Sequence, residues 1–153
     1  MNVDGSNLVA GRLSSKIAKR LIDGETIVIV NAEKVVMVGR REEIVAKYKK
    51  KVDATVHSNP HFGPKYERIP SRILKRMIKG MLPNRKVTAE RIMKQLKIYN
   101  GVPITLKDTK FETVSGVTYN DKHDFITLKE ISELIGGRWK NDWAQRKYYY
   151  RRN

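Results

Sequence analysis

At 153 residues and 40% hydrophobic composition, the chain has the size and make-up of one folded domain, spanning 1–153, rather than of a disordered segment. Its 32 Lys and Arg against 16 Asp and Glu leave a net charge of +16, which repels itself unless nucleic acid, an acidic protein or a membrane surface neutralises it. With no cysteine, disulfides and thiolate metal sites are excluded, as fits a reducing cytosol.

Residues 1–39 carry five basic and four acidic groups and read as a compact α/β start. Asn2–Asp4 is a short opening strand ended by Gly5. The pattern from Leu8 to Ile22 is helical, with Ala10, Leu13, Ile17, Ala18 and Leu21 on one side and Arg12, Lys16, Lys19 and Arg20 on the other. Gly24 stands where a helix C-terminal cap is expected, and Gly11 is read as allowing the helix to approach its sheet. The run Ile27–Val30 is continuously β-branched, the mark of a strand buried on both faces in a parallel sheet. Val35–Val38 reads as a second such strand, and strand–helix–strand in this order implies a right-handed crossover. Both runs are too short to span a bilayer, and the first residues lack the basic region and apolar run of a signal peptide, so a soluble chain is expected.

Residues 40–98 hold seventeen basic and five acidic groups. Arg40–Val52 suits a helix, with Glu42 and Glu43 in its first turn and Lys49, Lys50 and Lys51 in its last, matching the helix dipole. The loop that follows is stiffened by Pro60, Pro64 and Pro70 and turned by Gly63, so it presents His61, Phe62, Lys65, Tyr66 and Arg68 in fixed positions. Phe62 and Tyr66 admit two readings, as staples onto the core or as rings offered to a partner. Ser71 is read as the cap of a second basic helix. Ile73, Leu74, Met77, Ile78, Met81 and Leu82 fall on its inner side and Arg72, Lys75, Arg76 and Lys79 on the other, with Pro83 as the stop. A third basic helix is expected after Thr88, placing Ala89, Ile92, Met93 and Leu96 inward and Arg91, Lys94 and Lys97 outward. The N-termini at Ser71 and Thr88 offer N–H groups suited to phosphate.

Residues 99–136 hold four basic and six acidic groups and are expected to contact an anionic partner, RNA included, least. Ile104–Leu106 and Phe111–Val114 read as extended pieces. Thr127–Glu130 forms a capping box for a short helix carrying Leu128, Ile131, Leu134 and Ile135, closed by Gly136 and Gly137. The tail 137–153 interleaves rings with six basic groups and one acid. Trp139 and Trp143 are read as packing residues, and Tyr148–Tyr150 as partner contacts.

The residues give no purchase for catalysis. His57 and His61 are four apart, but Asn59 and Pro60 between them break a helix and no glutamate completes a zinc-protease motif, so they read as loop histidines touching an anion. The Gly5–Ser14 stretch lacks the glycine spacing and the lysine of a phosphate loop. Asp121 and Asp124 sit in a turn-like polar segment. Basic amphipathic helices also suit a membrane interface, but these lack bulky aromatic wedges, and their apolar sides are needed to cover the sheet. Nucleic acid is the anion expected, because charge that served solubility alone would be met as well by acids.

The strings VNAEKVVMVGRR (Val30–Arg41), NP…GP (Asn59, Pro60, Gly63, Pro64), RIPSRILKRMIKGMLP (Arg68–Pro83) and LKIYNG (Leu96–Gly101) resemble the large-subunit ribosomal protein thirteen family. The loop form is similar to its archaeal and eukaryotic branch. Two positions depart from the pattern: Phe62 where a basic residue commonly precedes the Gly-Pro glycine, and Thr88 where glycine is common. The resemblance implies a three-layer α/β/α fold with a small, mostly parallel four-stranded sheet, a basic helical extension and a C-terminal tail. It implies a structural constituent of the large ribosomal subunit with no catalysis, cofactor, metal or small-molecule substrate. Its partners would be large-subunit rRNA and neighbouring large-subunit proteins, with no membrane. A free-standing RNA-binding translational regulator is the alternative.

The expected RNA-binding residues follow the basic faces. They are Arg12 and Lys16 on the first helix, then Arg40, Arg41, Lys49, Lys50 and Lys51 at the ends of the next. The loop gives His61, Lys65 and Arg68, and the helix after it Arg72, Lys75, Arg76 and Lys79. Arg85, Lys86, Arg91 and Lys94 come next, and the tail adds Arg138, Lys140, Lys147, Tyr148, Arg151 and Arg152.

Overall fold

Strand β1 (Asn2–Asp4) pairs in parallel with β2 (Ile27–Val30), which pairs in parallel with β4 (Leu96–Ile98), in register Val3↔Ile29 and Ile29↔Ile98. The computed structural model describes residues 1–83, 86–120 and 123–139, and at 60, 86 and 87 the backbone alone. The fold is α/β, as expected. Successive strand side chains face opposite ways, and Ile27, Ile29 and Val30 are all fully buried, so β2 is covered on both faces.

Helix α1 (Ala10–Ile22) connects β1 to β2 and buries Leu13, Ile17 and Leu21, one below the next at helical spacing. Its C-cap is Asp23, after which Gly24 takes φ +92°, a conformation that a side chain disfavours. Gly11 does not serve close packing: it is exposed, and a Cβ built there meets nothing within 4 Å. The close approach is at Gly5, where a Cβ would lie 2.9 Å from Val35 Cγ2 and 3.0 Å from the Val30 carbonyl oxygen. Gly11→Ala is therefore expected to stabilise the protein by up to about 1 kcal/mol through helix propensity alone. Thermal unfolding should show a melting temperature higher by roughly 2–4 °C, and a fall would mean that the glycine makes a contact after all.

The second strand run does not extend the parallel sheet. Asn31, at φ 55°, turns the chain into a short 3₁₀ segment, Ala32–Lys34, and redirects it. Strand β3 (Val36–Val38) then pairs antiparallel with β5 (Phe125–Thr127), and its tie to the sheet side is a single bridge, Val9 to Val36. The expected four strands are thus three parallel strands plus a separate pair. Helix α5 (Leu128–Leu134) follows β5 directly, capped by Thr127, whose Oγ1 accepts the Glu130 N–H at 3.3 Å and also bonds the Glu130 carboxylate. Of the apolar residues that this helix carries, Leu134 is exposed.

Helix α2 (Arg41–Asp53) has the expected charge gradient, with Tyr48 buried. Helix α3 (Pro70–Lys79) begins one residue before the expected cap: Ile69 is its N-cap and Pro70 occupies the first turn, where a missing N–H costs nothing. It ends at Lys79, ahead of Pro83, and Met81 beyond it is exposed rather than inward. Helix α4 (Lys86–Lys94) starts before Thr88, and Leu96 and Lys97 belong to β4 instead. Ile104–Leu106 is a 3₁₀ turn, not an extended piece.

Helix α3 packs against α1 and α5, so Ile73, Leu74 and Ile78 reach the centre of one core with Leu13, Ile17, Ile29, Ile126 and Ile131. Burying each contributes about 1.5–3 kcal/mol, whereas like charges one turn apart on a helix cost about 0.2–0.5 kcal/mol per pair. Core packing therefore holds a helix whose outer face repels itself.

Candidate nucleic-acid interface

The basic outer face of α3 is joined to the loop before it and to the end of α2. Tyr66 is the link. Its ring stands edge-on to Tyr48 at 5.8 Å between centroids, with the Arg76 guanidinium 4.5 Å and the Lys51 ammonium 5.3 Å from its centre. Arg76 Nη1 also donates to the Lys65 carbonyl at 3.0 Å. The two readings of the loop rings thus separate. Tyr66 staples the loop and gathers cations, while Phe62, 85% exposed, touches little of the protein. Burial first, then the neighbouring Tyr66, hold the Tyr48 hydroxyl above its ordinary pKa, so it stays neutral beside these cations.

A cleft of about 820 Å³ opens between α3 and α4. Arg72, Lys75, Arg76 and Lys79 form its α3 wall, and Ala89, Glu90 and Met93 its α4 wall. Glu67 also lines it, 3.1 Å from Arg72. The two carboxylates were not foreseen, because nothing local to Glu67 or Glu90 marks them as sharing a cleft. Arg91 and Lys94 are exposed on α4 but do not line it.

Ion pairing leaves most of this charge unneutralised. Among the described residues the pairs are Arg72–Glu67, Arg40–Glu43 at 3.5 Å and Arg41–Glu130 at 3.5 Å, all exposed. Such pairs contribute about 0–1 kcal/mol. Lys49, Lys50, Lys65, Lys75 and Lys79 enter none of them.

The LKIYNG motif has a positioning role that its spelling did not announce. After β4, Gly101 turns at φ +73° and donates its N–H to Glu33 Oε2 at 2.8 Å, and Asn100 Oδ1 accepts the Ser71 N–H at 3.1 Å. Asn100 thereby caps α3 from 29 residues away. That N–H is taken, so it is not among those left for a phosphate at this helix N-terminus.

The remaining expected residues lie elsewhere. Arg12 is exposed on α1, and Lys16 reaches the Ser115 carbonyl, towards the mixed segment. Arg68 is exposed, and its carbonyl accepts the Ser132 hydroxyl of α5; Arg138 is exposed just beyond that helix. His61 is exposed in the loop turn Pro60–Phe62. Arg85, Lys140, Lys147, Tyr148, Arg151 and Arg152 lie outside the described residues, as does the Lys86 side chain; Trp143 and Asp121 lie outside them too. No helix among the described residues is long and apolar enough to cross a membrane.

A family model described as Ribosomal protein L13 matches residues 1–105. The chain belongs to the ribosomal protein L13 family. Among its relatives, "Large ribosomal subunit protein uL13" of Methanosphaera stadtmanae is 40% identical over 138 residues, covering 90% of this chain and 97% of that one. The same-named proteins of Archaeoglobus fulgidus and Haloarcula marismortui are 40% and 39% identical, covering 89% and 88% of this chain and 87% and 89% of theirs. The likeness therefore continues past Gly101 into the mixed segment, where the sequence strings had stopped. L13 family members are structural components of the ribosome, not enzymes, and so is this chain.

Proposed function

We propose that the protein is a constituent of the large ribosomal subunit in the cytoplasm, where it binds and stabilises large-subunit rRNA and lies beside other proteins of that subunit. The observation that carries this reading is the run of cations from the α2 terminus through the loop to α3, largely without acidic partners, on a helix fixed by the core. Phosphate contacts of this kind position a protein, and the folded shape of the RNA supplies selectivity. The relatives named as large-subunit proteins support the choice of particle.

Two measurements test it. In sedimented lysate the protein should travel with large subunits in moderate salt; exclusive recovery in ribosome-free fractions would identify a free-standing RNA binder instead. With a matching rRNA fragment, neutralising six to ten phosphates would give a slope of log affinity against log salt of about −4 to −9. A slope near zero overturns the phosphate mechanism.

A further inference from the structure

The geometry points to the α3/α4 cleft as a receptor for a single unpaired nucleotide of the bound RNA, its base against Ala89 and Met93 and its phosphate on Lys75 and Lys79. This rests on the RNA-binding reading above and goes beyond it, because a phosphate-binding surface needs no concavity. The cleft measures about 820 Å³, and pockets that take small organic molecules run roughly 300–1,000 Å³. A duplex would bridge the mouth with its phosphates and leave the interior unfilled. An unpaired base, splayed from the strand, is the part of RNA that enters such a space.

Each wall suits one part of a nucleotide. Ala89 and Met93, one turn apart on α4 and both half-buried, form an apolar strip, and the polarisable thioether packs well on an aromatic ring. Opposite, Lys75 and Lys79 are also one turn apart, exposed, and outside the three ion pairs. The two arginines of the same wall are already held, Arg72 by Glu67 and Arg76 by Tyr66 and the Lys65 carbonyl, so the rim is organised before RNA arrives. Glu90, also outside those ion pairs, would repel a phosphate but accepts a hydrogen bond from a base amino group or a ribose hydroxyl. A carboxylate here fits a nucleotide lying in the cleft better than bare phosphates lining it.

The test uses the full chain, single-stranded hexaadenylate and a short blunt RNA duplex. Hexaadenylate should shift the methyl resonances of Met93 and Ala89 through ring currents, and the duplex should leave them in place. Ala89→Leu, which narrows the cleft without changing charge, should lower hexaadenylate affinity about fivefold or more, the lower range of one lost base stack, and leave duplex affinity unchanged. Should that variant fail to fold, the wild-type spectra decide alone. Equal shifts with both RNAs, or movement confined to Lys75 and Lys79 while the two methyls stay still, overturns the receptor but keeps RNA binding. If no resonance responds to either RNA, the RNA-binding reading fails and takes this inference with it.

Discussion

Replacing Lys75 and Lys79 together by glutamate is expected to weaken binding to a matching large-subunit rRNA fragment on the order of 100-fold, if each phosphate contact carries about 1.4 kcal/mol. The salt slope should become shallower by about 2, one unit per contact removed. These two are chosen over Arg76 because both are exposed and neither is tied to the protein, whereas Arg76 also stacks on Tyr66 and bonds the Lys65 carbonyl. Reversing Arg76 would disturb the loop and confuse lost charge with lost structure. The opposing control is Asp108→Lys with Asp124→Lys, on exposed positions of the mildly acidic segment. That pair should leave affinity within about threefold, since exposed charges beyond a Debye length of about 8 Å are largely screened at physiological salt. Binding titrations at three or more salt concentrations read both numbers. A gain in affinity from the second double variant as large as the loss from the first would show that net charge, not the α3 face, drives binding.

Gly137→Ala is expected to be the most damaging single change away from that face, costing about 3 kcal/mol, at the upper end of ordinary overpacking. The chain leaving α5 passes so close to the segment before α3 that the Gly137 N–H donates to the Ser132 carbonyl at 2.7 Å while the Ser132 hydroxyl donates to the Arg68 carbonyl. A Cβ here would strike the Ser132 hydroxyl and the Arg68 carbonyl and come within 2.8 Å of the Ser132 carbonyl, closer than real Cβ atoms come. Two of the three obstacles are backbone atoms, which cannot swing aside as a side-chain end does. Relief requires the chain at the end of α5 to part from the segment that leads into α3. The melting temperature should fall by roughly 6–12 °C, taking 2–4 °C per kcal/mol for a chain of this size. Ser132→Ala in the same background should restore only part of the loss, because the backbone obstacles remain. An unchanged melting temperature in the single variant would mean that the chain does not lie against Arg68 in solution.

Much of the core was legible because it depends on local period. Ile73, Leu74 and Ile78 fall on one side of a 3.6-residue repeat and Arg72, Lys75, Arg76 and Lys79 on another, whatever the helix packs against. The same holds for Leu13, Ile17 and Leu21 on α1 and for the β-branched run of β2, whose burial follows from having no polar side to show. Met81 and Leu134 mark the limit: each continues the apolar pattern past the place where its helix or its neighbour ends, and periodicity carries no information about where packing partners stop.

The partner of β3 was not legible. Val35–Val38 is as apolar as Ile27–Val30, yet Asn31 in the left-handed region sends it to β5, nearly ninety residues further on, rather than to the edge of the parallel sheet. Gly11 and Gly5 are alike in spelling, and only the neighbours of each decide which one a methyl would ruin. Phe62 and Tyr66 carry similar rings on one loop, and the presence of Tyr48 and two cations around Tyr66 alone distinguishes them.

The amino-acid sequence by itself determined the class of fold, the excess of positive charge, its concentration in the middle third and the separation of that charge from the apolar faces. These are sums over composition and over a fixed helical repeat, and they need no knowledge of distant residues. Tertiary structure alone decided that α3 and α4 enclose a cleft, that Glu67 and Glu90 share it with four cations, that Asn100 caps a helix far away in the chain, and that β3 leaves the parallel sheet. Each of those depends on two segments meeting across the core, a relation set by the simultaneous packing of all of them, which no local stretch of the chain contains.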